Sequence, residues 1–137
     1  MRLFVYGVLL GSVAEGSVRE LLRGLGPGQP ATTRGLLYAV PDPRGAYPVL
    51  VPGEGTVRGM VHAAGTVDLA ALDRFEDADR PEGEYRRDPV TALLGDGTEA
   101  RAFAYLYNRR VTPALIAIPH GDFPRWLRET GARPFPG

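Results

Sequence analysis

The sequence predicts an α+β fold, a small, strongly curved, mostly antiparallel β-barrel with two or three peripheral helices. Three observations point there. β-type runs outnumber helical ones, and several are joined by glycine- and proline-rich turns of the hairpin kind. The last long run also has a small-residue face, Ala100, Ala102 and Ala104 with Leu106, which favours tight curvature and closure. One domain over 1–137 is expected, long enough to bury a real core and free of repeats or linkers.

Taken in order, Arg2 to Tyr6 is a short β-type run with apolar residues on both faces, the pattern of an interior strand. It stops at Tyr6-Gly7. Glycine there removes the steric bar to unusual φ and lets another group approach the amides, so the loop that follows offers main chain rather than side chains. Ser12 or Ser17 caps a helix over about Val13 to Arg23, closed by Gly24 and the breaker-rich GLGPGQP. Ala31 to Val40 reads as a strand and PDPRGAYP as a loop. Thr56 to Ala64 reads as a further strand, with Val57, Gly59 and Val61 on one face and Arg58, Met60 and His62 on the other. Gly65-Thr66 opens a helix, VDLAALDRFED, with Asp68 in its first turn. Glu84 to Leu94 and Thr98 to Tyr107 are strands joined across Gly95-Asp96-Gly97, whose Asp-Gly pair is a strong hairpin signal. Arg101, Phe103, Tyr105 and Tyr107 share the face opposite the alanines. The tail IPHGDFPRWLRETG gives a turn and a short final helix.

Charge and composition narrow the chemistry. The 16 basic and 16 acidic residues cancel, leaving no basic stripe, so no nucleic-acid partner is expected. Every basic residue is arginine, and without lysine there is no Schiff-base chemistry from a side chain. Without cysteine there are no disulfides or thiolate nucleophiles. His62 and His120 lie far apart and lack a short-spaced ligand partner, which argues against a histidine metal site or a His-centred triad. No cofactor and no metal are expected. The run MRLFVYGVLL is too short and wrongly flanked for a signal peptide, and no later run approaches a membrane span, so a cytoplasmic location without a membrane partner is expected.

The most informative residue lies in ALDRFED. At about 100° per residue, Leu69 and Leu72 define the inward stripe of the helix, and Glu76 falls close to its middle while Asp73 lies toward the edge. A glutamate there is desolvated and meets the negative end of the helix dipole, and both effects raise its pKa toward the range useful for a general acid or base. The alternative is a helix that ends earlier and leaves Glu76 in water. Similarly, Tyr6 is either a half-buried strand tyrosine or part of a site, and Arg86-Arg87 send one guanidinium to each face, solvated or paired with Glu82 and Glu84.

Taken together, VYGVLL, YPVL at 47–50, VRGMVH at 57–62, LDRFE at 72–76, EYRRDPV at 84–90, AFAYLY and the late HGDF resemble the γ-glutamylcyclotransferase family in its AIG2-like branch. That family's pattern runs from a YGTL strand end through GEVY, D-x-FE and Y-x-R to a GDW-like element, and the match is ordered along nearly the whole chain. The resemblance implies a small-molecule γ-glutamyl substrate, cyclised to 5-oxoproline with release of an amine or amino acid. It also implies that Glu76 is the acid/base glutamate and that Tyr6, Gly7, Val8 and Leu9 form the loop whose amides hold the substrate. Tyr85 and Arg87 match the Y-x-R pair, and Tyr47 matches a position lining the pocket. Val8 replaces the threonine of the loop motif, and Met60 and His62 replace the glutamate and tyrosine of GEVY. These departures bear on the substrate more than on the fold. Two readings stay open at this point, a cofactor-free cyclotransferase and a binding module that keeps the pocket without turnover.

Overall fold

Hydrogen bonding closes the long strands into a barrel. The computed structural model describes residues 1–7 and 17–136. Its strands are β1 (Arg2–Val5), β2 (Gly28–Val40), β3 (Tyr47–Ala63), β4 (Tyr85–Leu94), β5 (Glu99–Tyr107) and the short β6 (Ile116–Ala117). The sheet order is β3-β1-β5-β4-β2, and β2 returns to β3 to complete the ring, with β6 added outside on β2. β1 runs parallel to β5 and the other pairings are antiparallel. Three short helices, α1 (Ser17–Leu21), α2 (Leu69–Phe75) and α3 (Phe123–Thr130), complete the chain. This is the curved, mostly antiparallel barrel with peripheral helices that the sequence predicts.

Period-two alternation explains how both faces are covered. From β1 and the residue after it, Phe4 and Tyr6 join one apolar cluster while Leu3 and Val5 join another. On β5 the small face supplies Ala102 and Ala104 to the first cluster, where little room remains beside Phe4, Leu50 and Phe123. Phe103, Tyr105 and Tyr107 face the second cluster, which α2 caps with the fully buried Leu72. The mixture of small and aromatic faces on one strand thus sets both the curvature of the barrel and the place where α2 docks.

Three boundaries depart from the sequence reading. β2 begins at Gly28, before Ala31, because Gly28, Gln29 and Pro30 of the breaker-rich stretch pair with His62, Val61 and Met60. β3 begins at Tyr47, well before Thr56, because Pro48 takes a strand position opposite Ala39 and the segment through Gly53 and Gly55 stays extended. A proline tolerates such a position when its missing N–H is not required by the ladder. The helix expected over Val13 to Arg23 is helical over Ser17–Leu21, with 13–16 outside the described residues.

α3 is fixed by its caps. Asp122 accepts the Arg125 N–H at 3.1 Å, and Gly131 ends the helix in the left-handed region with φ 72°. Just before it, Gly121 has φ 71°, and a Cβ there would lie 1.9 Å from the Thr56 carbonyl oxygen. Gly121→Ala is therefore expected to destabilise the protein by about 2 kcal/mol or more, through backbone strain and the forced retreat of β3. A urea titration showing an unchanged midpoint would overturn this account.

Candidate active site

Helix α2 is built to present one carboxyl group. Asp68 is its N-cap, accepting the Ala71 N–H at 3.1 Å, and Leu72 anchors the inward face. Glu76 is the C-cap, its own N–H still bonded to the Leu72 carbonyl at 2.9 Å. Asp77 then enters the left-handed region with φ 53° and turns the chain away. The inward stripe of Leu69 and Leu72 thus continues to Glu76, as the spacing predicts. The side chain is 9% exposed and accepts no hydrogen bond among the described residues. Burial, and then the nearby negative charge of Glu84, push its carboxyl up from 4.5 to about 8.

Glu76 and Tyr85 line two neighbouring cavities. The inner cavity, about 30 Å³, is walled by Tyr6, Gly7, Pro48 and Tyr105 and has room for about two waters. The outer one, about 260 Å³, opens past Tyr47, Phe135 and Glu84. Gly7 is required by contact: its φ lies outside the left-handed region, and a Cβ would meet Pro48 Cγ at 2.2 Å. The sequence expectation of unusual φ at Gly7 is corrected accordingly, whereas the expectation of close approach stands.

The tyrosine hydroxyls hold the walls in place. Tyr6 donates to the Tyr105 carbonyl and accepts the Leu50 N–H at 3.3 Å. Tyr85 donates to the Pro48 carbonyl at 2.7 Å, and Tyr105 donates to Asp73 Oδ1 at 2.7 Å. Burial raises the pKa of all three, and the charge of Glu76 adds to the rise. They serve as neutral donors near pH 7. Arg87 lines neither cavity: its Nε and Nη2 donate to Asp73 at 2.9 and 3.2 Å, and the guanidinium stacks 5.5 Å from the centre of the Phe103 ring. Asp73, at the edge of the α2 stripe, therefore joins α2 to β4 and β5. Asp73→Ala is expected to cost about 1–3 kcal/mol by leaving Arg87 and the Tyr105 hydroxyl without their acceptor. Chemical denaturation would read this as a lower midpoint with unchanged slope.

Between Glu76 and Glu84 the chain is pinned by two side chains, Asp77 and Asn108. Asp77 accepts Arg80 Nε at 2.8 Å, Arg80 Nη2 at 3.1 Å and the Glu84 N–H at 2.9 Å. Arg80 in turn holds the Asp77 carboxyl below its usual range. Asn108, just after β5, donates to the Pro81 and Gly83 carbonyls at 2.9 and 3.0 Å.

Of the residues singled out from the sequence, Tyr6, Gly7, Glu76 and Tyr85 surround the inner cavity, and Tyr47 lies on the outer one with its hydroxyl 2.5 Å from Glu84 Oε2. Val8 and Leu9 lie outside the described residues. Met60 and His62 line neither cavity. His62 Nδ1 is 3.0 Å from the Gly26 carbonyl and serves loop packing. His120 bridges the Asp122 N–H and Glu129 beside α3. Sequence reasoning missed Pro48, Glu84 and Tyr105 as site walls. The alternation on β5 carried a signal for Tyr105, and the position of Glu84 next to Tyr85 carried one for Glu84.

The chain belongs to the AIG2-like γ-glutamyl cyclotransferase family, whose model matches residues 3–126. It is 33% identical over 127 residues to the γ-glutamylcyclotransferase family protein ytfP of Citrobacter rodentium, covering 93% of this chain and 96% of that one. Among solved structures, YkqA from Bacillus subtilis superposes with a TM-score of 0.71 at 24% identity, over 95% of this chain and 42% of that longer one. An AIG2-like protein from Mus musculus gives a TM-score of 0.71 at 20% identity, over 89% of this chain and 86% of its own. The structural likenesses bear on the fold. No helix of the described residues is long and apolar enough to cross a membrane.

Proposed function

We propose that this protein is a cofactor-free γ-glutamyl cyclotransferase in which Glu76 moves the protons. In a γ-glutamyl amide, the substrate's own α-amine attacks its γ-carbonyl carbon. The new C–N bond closes the five-membered ring of 5-oxoproline as the old amide C–N bond breaks. Because the attack is intramolecular, holding the substrate folded contributes much of the rate. Glu76 as carboxylate removes a proton from the α-ammonium and, as the acid so formed, delivers it to the departing amine. Main-chain amides of the Tyr6-Gly7-Val8-Leu9 loop hold the substrate and the carbonyl oxygen as charge develops. Tyr85 borders both cavities beside Glu76, and Arg87 acts at one remove by fixing Asp73 against Tyr105.

The observation that carries this reading is Glu76 itself, nine-tenths buried, without a hydrogen bond among the described residues, and lining two cavities. A carboxyl serving only structure would be paired. Incubation with a panel of γ-glutamyl amides and assay of 5-oxoproline tests it. Product from at least one member is expected, and saturable binding without product from any would replace this reading by the binding module.

A further inference from the structure

The outer cavity has its own chemistry, apart from the acid/base group at its inner end. Four carboxyl groups border it: Asp42, Glu76, Asp77 and Glu84. Asp42 faces Arg44 at 3.5 Å and Asp77 faces Arg80 at 2.8 Å, so those charges are balanced. Glu76, held protonated in part by burial, carries little charge near neutral pH. Glu84 remains. Its carboxylate receives only the neutral Tyr47 hydroxyl and has no ion-pair partner among the described residues. The negative field of Glu84 is felt at Glu76, Tyr47, Tyr85 and Tyr107, whose pKa values it raises.

The rest of the wall is aromatic: Tyr47, Phe75, Tyr85 and Phe135. Tyr47 and Phe135 meet edge to face at 5.4 Å, and one face of Phe135 already holds a cation, the Arg44 guanidinium, 4.5 Å from the ring centre. Aromatic faces beside an unbalanced carboxylate attract an organic cation. No group of three or more carboxylates and imidazoles among the described residues is placed to hold a metal ion. Among the described residues the one cation lining the cavity, Arg44, is engaged by Asp42 and Phe135, so a leaving group bearing a carboxylate meets no free positive partner among them.

We infer that the outer cavity receives the leaving amine, that Glu84 recognises a second, protonated amine on it, and that the substrate class is the mono-γ-glutamyl amide of a diamine. The inference rests on the cyclotransferase reading for the acyl half of the substrate. After ring closure, the departing product is the free diamine, its reacting nitrogen protonated by Glu76 and its distal ammonium still opposite Glu84.

Three probes matched in chain length test this: the mono-γ-glutamyl amides of 1,4-diaminobutane, pentylamine and 4-aminobutanoate. With wild-type protein, kcat/KM for the diaminobutane amide is expected to exceed that for the pentylamine amide by roughly 10- to 100-fold, the worth of one charge-assisted contact, with the carboxylate probe poorest. In Glu84→Gln, the ratio between the first two is expected to fall to within a few-fold of one. Equal use of the charged and neutral probes by the wild type overturns the inference without any variant, as does a ratio that survives in a folded Glu84→Gln. Calorimetric binding of the same probes to wild type separates the two levels of argument. Preference for the diaminobutane probe without 5-oxoproline from any probe supports the cavity's charge reading and removes the cyclotransferase. Product formation with no charge preference keeps the cyclotransferase and removes this inference.

Discussion

Glu76→Gln is expected to lower 5-oxoproline formation by about 10²- to 10⁴-fold, the usual contribution of a positioned acid/base group, with the fold unchanged. The substitution keeps the shape and the partly polar tip of the side chain but removes proton transfer. Because the native carboxyl is already largely protonated at neutral pH, glutamine is a close electrostatic match for the resting protein. Substrate binding measured by calorimetry should therefore survive where turnover does not. Turnover within a few-fold of wild type in this variant would take Glu76 out of the mechanism.

The second large effect is on pH dependence, where activity and stability should run in opposite directions. A carboxyl raised to about 8 is roughly one-tenth ionised at pH 7, so kcat/KM should climb nearly tenfold per pH unit below that value and flatten above it. Stability follows from linkage: the folded state holds its proton to higher pH than the unfolded chain. The favourable contribution is present below about 4.5 and is lost as pH rises through about 8. The loss is on the order of a few kcal/mol, as expected for a buried carboxyl moved this far. Glu76→Gln has no such group to ionise, so its urea midpoint should gain on that of wild type between pH 5 and pH 9. A constant difference across that range would mean that burial of Glu76 does not set its titration.

The parts of this molecule that repeat at a fixed period were legible from the sequence. The alanine and aromatic faces of β5, the two-sided burial of β1 and the path of the α2 stripe to Glu76 all follow from local geometry. What escaped depends on contacts between distant segments. Pro48 and Pro52 look like breakers, yet β3 runs through both because its ladder tolerates their missing N–H groups. Asp73 bonds to Arg87 and Tyr105, residues that only the assembled barrel brings together, and nothing in EYRRDPV announces that partner. The influence of Glu84 on Glu76 was equally hidden. Burial of Glu76 is legible in the α2 stripe, whereas the second cause of its raised carboxyl is a like charge returned to the site by the turn at 77–84. At Gly7 the need for glycine comes from Pro48, a neighbour in space only.

The Asp77 clasp has a consequence for how such a protein can change its diet. Glu76 and Glu84 stand at opposite ends of one short segment whose span is set by the Asp77 carboxylate gripping Arg80 and the Glu84 N–H, with Asn108 holding the Pro81 and Gly83 carbonyls. The acid/base group belongs to the helix and barrel, while the residue facing the outer cavity hangs from the clasp. Arg80 and Gly83 are fixed by the clasp itself, Arg80 as its partner and Gly83 because a Cβ there would lie 1.8 Å from the Asp77 carbonyl oxygen, so what can be recharged without moving the proton-transfer group is the exposed remainder of the turn, Asp79 and Glu82.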